Sequence, residues 1–266
     1  MLHLLKIEYL KVKNYTTFWV IWLLYAAIVP LIYLGVCDLI SRMIPSPIGP
    51  EFSEYLSFPD VWQNVVYTAS YLNLLLGVLV VVLTTNEIIF KTQRQHAIEG
   101  VSRRNLILSK MLFFTFLAAC VSLYTLIVGA VFGFIYSDFA DFFSGISSIP
   151  LYFIQTVGYF AMAFLLAVLI QRTALTIVVF ILMLFVNFFF VSEMVGEVIA
   201  SYLPVSVISG LTQLPYRDEI YAMRVQSGEL ASIPESLAQW IRTLIAIAYI
   251  ILIGIVGYLV LKKRDL

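Results

Sequence analysis

The sequence predicts an all-α integral membrane protein, a single transmembrane domain over residues 1–266 with six spanning helices, an N-terminal interfacial helix and a short helix in one loop. Three observations predict it. The first is composition. The chain is 62% hydrophobic and 12% charged, whereas soluble domains run at about 45–50% apolar and about 25% charged. So much apolar surface in 266 residues exceeds what one buried core can take in, and a bilayer supplies the missing apolar solvent. The second is a series of six apolar runs near the ~20 residues that cross a hydrocarbon core at 1.5 Å each. The third is charge. The formal net charge is zero, yet the charges sort by side once the runs are drawn as spans.

In chain order, residues 1–16 are basic and moderately amphipathic. Leu2, Leu5, Tyr9 and Val12 share one face, with Lys6 and Lys13 beside it, the pattern of a helix lying on a membrane surface. The expected spans are Thr17–Cys37, kinked at Pro30, then Val65–Thr85, Met111–Tyr136, Pro150–Ile170, Thr173–Val191 and Ile241–Leu261. Only Gln171 and Arg172 separate the fourth and fifth, which makes them a tight hairpin. Ser57-Phe58-Pro59-Asp60 and Ser232-Ile233-Pro234-Glu235 each place a serine three residues before a carboxylate with proline in the first turn, a helix-start pattern. The second and sixth helices should therefore begin beyond the membrane. The connecting segments 38–64 and 192–240 are more than linkers. In the second, Val195, Val198, Ile199 and Tyr202 recur at helical spacing before Leu203-Pro204 interrupts them, which reads as a short helix that is re-entrant or lies on the interface.

Orientation follows from lysine and arginine. With the N-terminus inside, Lys6, Lys11, Lys13, Lys91, Arg94, Arg103, Arg104, Lys110, Arg172, Lys262, Lys263 and Arg264 are internal, and only Arg42, Arg217, Arg224 and Arg242 are external. The loops are short enough for the positive-inside rule, so both termini are expected in the cytoplasm. Most acids fall outside, with Glu8, Glu87, Glu99 and Asp265 as the internal ones.

The residues argue against chemistry within the chain. His3 and His96 are the only histidines and Cys37 and Cys120 the only cysteines. No metal-ligand spacing, paired intramembrane carboxylates or phosphate-cradling Gly-x-x-x-x-Gly-Lys-Ser/Thr loop occurs, so no catalytic or metal-binding residue is expected. The centres of the spans carry no charge. Their mild polar groups, Asn73, Thr115, Ser122, Thr125, Gln155, Thr156, Thr176 and Asn187, suit interhelical hydrogen bonds. Gly129 and Gly133 form a GxxxG match. A gradient-driven carrier needs an ionisable group at mid-depth, so any transport must draw its energy from elsewhere.

The sizeable loop on the inner side is residues 86–110. It is basic, with Gly100 placed to stop a short helix over about 92–99 and Ser102 placed to cap the next. Glu87, then Thr92-Gln93-Arg94, then Gly100-Val101-Ser102-Arg103 and Lys110 resemble the loop between the second and third helices of ABC type-2 transporter permeases, in the variant found in Bacteroidetes. The overall layout is similar too. The resemblance implies the six-helix fold of an ABC exporter permease in a bacterial inner membrane, and a coupling helix that docks on separate ATPase subunits. Thr92, Arg94, Glu99 and Arg103 would then contact the ATPase, and Glu87, Lys110 and Arg172 would orient that interface. It further implies a second permease copy or paralogue, with a path between permeases lined by the second and fifth helices, where Asn73 and Asn187 are candidates. ATP and magnesium would belong to the partner ATPase, with no cofactor in this chain and no nucleic-acid partner. The substrate class would be a lipid, peptide or other amphipathic molecule. A non-transport scaffold or sensor that binds through its outer segments is the alternative.

Overall fold

The computed structural model describes residues 2–43, 52–89, 103–189, 194, 196–217, 222, 225 and 237–263. Its elements are α1 (Leu2–Lys13), α2 (Thr16–Met43), α3 (Phe52–Tyr55), α4 (Asp60–Ile89), α5 (Arg103–Tyr136), a 3-10 turn at Phe139–Asp141, α6 (Ser148–Ile170), α7 (Thr173–Phe189), α8 (Glu197–Ala200), α9 (Pro204–Ser209) and α10 (Gln239–Lys263). Among the described residues there is no strand.

Among the described residues, five stretches are long and apolar enough to cross a membrane: Thr16–Leu39, Asp60–Ile89, Ile107–Tyr136, Ser148–Ile170 and Gln239–Val260. The protein is therefore a multi-pass, all-helical membrane protein. The remaining expected span is the shorter apolar helix Thr173–Phe189, with 17 described residues, at the lower limit of about 17–25 residues for a crossing. The long helices alternate in direction, so α1 and the end of α10 share one end of the bundle. That end is called basic here and the other distal.

The core is built on α4 and α6, which run side by side with 56% of each apolar stretch buried, against 22% for α2 and 11% for α10. Glycines set the closest approaches. A Cβ on Gly77 of α4 would run into the ring of Phe180, the α7 side chain that fills this notch. Phe180 and Thr176, one turn apart, are the buried residues of α7. Gly133 and Gly129 of α5 similarly receive Phe58 and Trp62, so the GxxxG match serves packing inside this chain. Trp62 completes the contact by donating its Nε1–H to the Phe142 carbonyl at 2.8 Å.

α2 runs helically through Pro30. A proline inside a helix leaves the carbonyl four residues earlier without its N–H donor, and in a bilayer such a carbonyl needs another partner. That carbonyl is Ala26, and Tyr124 of α5 donates its hydroxyl to it. Deeper in the bundle, Tyr25 and Tyr152 share a hydrogen bond at 2.9 Å. Tyr152 and Thr156 each donate to Asn73 Oδ1 at 3.3 Å.

The α6–α7 hairpin is as tight as expected. Gln171 takes φ +60° and its N–H caps the Ala167 carbonyl at 3.0 Å. The expected cap at Ser57 is corrected. Ser57 Oγ turns back to the Glu54 carbonyl at 2.8 Å and only its carbonyl joins the helix, accepting from Val61 N–H at 2.9 Å. The physical reason is the turn just before it, in which Leu56 N–H bonds the Ser53 carbonyl and Ser57 N–H the Glu54 carbonyl, so the hydroxyl finds its partner on that side and α4 begins at Asp60. The other expected start, Ser232 to Glu235, lies outside the described residues.

Between α7 and α10 the chain re-enters the bundle. Pro204 opens α9, the position where a missing N–H costs nothing, so the proline that interrupts one helical pattern starts another. Val207 and Ile208 are fully buried, and Gly158, ten residues into α6, makes room for Ile208. At 1.5 Å per residue α9 thus reaches ~15 Å along α6.

Candidate functional site

The basic end of the bundle holds a buried ionic platform. α1 lies across the start of α5 and presents Glu8 and Lys11, one turn apart. α4 brings Glu87 in its last turn, and α5 brings Ser109 and Lys110. Lys110 Nζ lies 2.6 Å from Glu87 Oε2 and 3.5 Å from Glu8 Oε2. Lys11 Nζ lies 3.0 Å from Glu8 Oε1 and 3.5 Å from Glu87 Oε1. Ser109 donates its hydroxyl to Glu8 Oε1 at 3.2 Å. Two carboxylates and two ammonium groups alternate, so each charge faces its opposite. The Lys110 and Glu8 side chains are 7% and 5% exposed, which puts these pairs well inside the low-dielectric shell.

The electrostatics follow from that burial. For Glu8, burial pushes the carboxyl pKa up, but Lys110 and Lys11 together outweigh it and the net shift is downward. For Lys11, burial pushes the pKa down, and Glu87 and Glu8 more than reverse it. Both residues are thus held charged by their partners. Next to the platform, Asn86 Nδ2 donates to the Tyr15 hydroxyl at 2.9 Å, tying α4 to the α1–α2 junction. Thr85 and Thr173 share a hydrogen bond at 2.8 Å, tying α4 to α7.

Glu87 and Lys110 are therefore in direct contact, and they bracket the segment 90–102. Arg103 is the first residue of α5. Arg172 is exposed at the same end. Thr92, Arg94, Glu99 and the expected helix over 92–99, with Gly100 and Ser102, lie outside the described residues. Glu8 and Lys11 are platform members that the sequence reading missed. The available signal was Glu8 itself, a lone acid three residues before a lysine in an otherwise basic helix.

A second feature is a cleft of about 470 Å³ between α4, α6, α7 and α9. Asn187 lines it, together with Tyr67, Tyr71, Gln155, Tyr159 and Phe188. Asn187 Oδ1 accepts from Ser206 Oγ at 2.7 Å. Gln155 Nε2 donates to the Ser209 carbonyl and to Thr212 Oγ1, both at 2.9 Å. Arg242 of α10 secures the end of the re-entrant segment by donating to the Gly210 carbonyl at 2.6 Å. Asn73 is fully buried and takes part in the α4–α6 contact, away from the cleft wall.

Residues 52–266 match the model of a family described as proteins of unknown function, DUF2705. The chain belongs to that family. No curated protein matches it. Within this DUF2705 protein the match takes in Glu87, Lys110, Arg172 and the whole cleft, while α1 with Glu8 and Lys11 precedes it.

Proposed function

We propose that this chain is the membrane-spanning permease subunit of an ATP-driven ABC transporter that exports a lipid, peptide or other amphipathic substrate. In this reading it is a six-span permease with both termini in the cytoplasm, paired with a second permease and with separate ATPase subunits. The observation that carries the reading is the platform. Residues 90–102 leave α4 two residues after Glu87 and re-enter α5 seven residues before Lys110, and these two side chains are ion-paired at 2.6 Å and locked to α1. A coupling element needs both of its roots fixed to one rigid block, because a floppy mount absorbs the displacement it should transmit. Thr92, Arg94, Glu99 and Arg103 would meet the ATPase, with charges of both signs available for ion-paired docking. Arg172 would add a second contact on the same face.

The energetics support the same reading. Among the described residues, Asp, Glu, Lys, Arg and His are confined to the ends of the bundle, and its middle is crossed by tyrosine, threonine and asparagine hydrogen bonds. Such an interior has no group to carry a coupling proton, which leaves the driving force to a docked subunit. The path would follow the cleft between α4 and α7, where Asn187 lies.

Co-purification tests the proposal. The wild-type chain expressed with its neighbouring genes is expected to bring down a nucleotide-binding subunit, and the pair Arg94→Glu and Arg103→Glu is expected to lose it while the permease still assembles in the membrane. Retention of the ATPase by the doubly reversed chain would remove the coupling assignment. Recovery of no nucleotide-binding subunit with wild type would favour the scaffold reading.

A further inference from the structure

The cleft beside Asn187 has a chemistry that narrows what it accepts. Its volume of about 470 Å³ falls within the roughly 300–1,000 Å³ of small-molecule sites. None of the residues that line it is charged, and Tyr71, Tyr159, Phe185 and Phe188 give it largely aromatic walls. Tyr71 and Phe188 are also exposed, so the cleft opens on their side.

The depth of that opening follows from α4. Asp60 and Glu87 both have to stay outside a hydrocarbon core about 30 Å thick. They stand ~40 Å apart along the helix, so the core begins within ~10 Å of Asp60. The α4 lining runs from Tyr67 to Leu74, ~10–21 Å from Asp60. The cleft is therefore reached at the level of the hydrocarbon, and what enters it comes through the bilayer.

Most polar side chains of the cleft already have partners. Tyr67 and Tyr71 share a hydrogen bond between their hydroxyls at 2.5 Å. Ser70 donates to the Tyr67 carbonyl and Ser209 to the Ser206 carbonyl, while Gln155 and Thr212 bond each other. Two donors are left over. Tyr159 is only 7% exposed, yet among the described residues its hydroxyl makes no hydrogen bond. Asn187 uses its Oδ1 on Ser206, and its Nδ2 has no partner there either. Among the described residues, the fully enclosed side-chain atoms without a partner belong to Tyr55, Asn73, Thr84 and Arg242. The Tyr159 hydroxyl and Asn187 Nδ2 are therefore accessible, and the space that both residues border is the cleft.

An amide nitrogen donates only, and a phenol donates readily. Arg242, bonded to the bordering Gly210 carbonyl, adds positive charge nearby and so opposes a cation. An anion arriving from hydrocarbon would lose its hydration without a counter-ion in the lining. We infer that the cleft binds an uncharged amphipathic molecule that carries a carbonyl acceptor on an apolar ring or chain. The acceptor meets the Tyr159 hydroxyl and Asn187 Nδ2, and the apolar body lies against the aromatic walls. As the class of exported substrate this rests on the transporter reading above; as a binding site it does not.

The full-length chain, reconstituted without ATPase in phosphatidylcholine nanodiscs, is titrated with four tritiated compounds that share an octylphenyl body. These are methyl para-octylbenzoate, para-octylbenzoate, para-octylbenzylammonium and para-octyltoluene, each corrected with empty nanodiscs. The ester is expected to bind saturably, and the two charged compounds at least about tenfold more weakly for want of a counter-ion. Tyr159→Phe removes a hydroxyl that bonds nothing in the protein, so the fold should persist. This variant is expected to weaken the ester about fivefold, the worth of one hydrogen bond, and to leave the toluene, which has no acceptor, unchanged. Asn187→Leu is expected to act in the same direction. Binding of either charged compound as tight as that of the ester, or an ester affinity unmoved by Tyr159→Phe, would overturn the inference. Because no ATPase is present, such a failure strikes the ligand class alone, while the transporter reading stands or falls on co-purification.

Discussion

Lys110→Met is the most direct perturbation of the platform, because it removes one charge and keeps the length and apolar stem of the side chain. Lys110 lies 2.6 Å from Glu87 and 3.5 Å from Glu8 and is 7% exposed. Removing one partner of a buried ion pair costs about 3–5 kcal/mol, chiefly because the other charge stays behind uncompensated. Two features of this site reduce the figure. Lys11 still reaches Glu8 at 3.0 Å and Glu87 at 3.5 Å, and the Glu87 side chain, 16% exposed, retains some access to water. The expected loss is therefore about 2–3 kcal/mol, just below the range for a fully enclosed pair. Adding Glu87→Gln to Lys110→Met removes the orphaned carboxylate, so the double variant should lie above the sum of the singles by roughly 1–3 kcal/mol, the coupling expected of residues in one network. Equilibrium unfolding in mixed micelles, followed by circular dichroism, measures all three variants, with the exposed Lys13→Met as a control for charge alone. A Lys110→Met chain within about 0.5 kcal/mol of wild type, the range of ordinary surface changes, would refute the platform as a structural clamp. Strict additivity of the singles would do the same.

Two further outcomes follow. Tyr124→Phe should destabilise the bundle by roughly 0.6–1.7 kcal/mol, the range for hydrogen bonds between membrane helices, because it strips the Ala26 carbonyl of its partner; Pro30→Ala in the same chain should recover most of the loss by restoring the helical N–H, and the same unfolding measurement reads both. For pH dependence, Glu8 is shifted below its ordinary 4.5 in the folded chain, so its contribution is complete above pH 4.5 and is lost as pH falls through the folded value, while Lys11, shifted above its ordinary 10.5, contributes fully below that pH; stability measured from pH 7 to pH 3 should fall steeply at the acid end in wild type and more gently in Glu8→Gln.

The fold was legible in the sequence wherever one physical rule dominated. Hydrophobic length located the helices, since a membrane leaves the backbone few alternatives to a helix. Gln171-Arg172 was readable as a hairpin because two residues leave no room for anything else. Leu203-Pro204 was readable as a break, and the structure adds that the chain beyond it dives back along α6. Features set by tertiary contact were not legible. Ser57 carries a cap signature, but its hydroxyl faces Glu54 because the turn before α4 folds it back onto that carbonyl. Gly77 and Gly158 look like ordinary membrane-helix glycines until Phe180 and Ile208 are placed against them. Asn73 and Asn187 were equivalent mild polar residues in the sequence. Asn73 is enclosed with its Oδ1 taken by Tyr152 and Thr156, and Asn187 borders a cleft. Glu87 and Lys110 stood out individually, but the acid and base of α1 that complete their charge balance could be found only from the packing of α1 on α5.

The distribution of contacts along α4 gives the proposed coupling its mechanical content. At its basic end α4 is held by the ion pairs of Glu87 and by Asn86 on Tyr15. The next residue in, Thr85, joins it to Thr173, and Gly77, about two turns deeper, seats Phe180, so α4 holds α7 through its first half. Further along, Asn73 and Ala69 meet Tyr152, and at the distal end Asp60 accepts a hydrogen bond from Tyr216 at 2.7 Å, just beyond the re-entrant segment. A straight helix of 30 residues spans ~45 Å, so it connects the roots of residues 90–102 to the floor of the cleft and to the segment that closes it. If a docked subunit displaces those roots, α4 and its close-packed partner α6 move as one body. The elements free to lag behind are then those with few buried residues, α7 and α10. The cleft that borders α7 is where such a motion would change volume first, and on the proposed reading the substrate path would then run next to Asn187 and away from the enclosed Asn73.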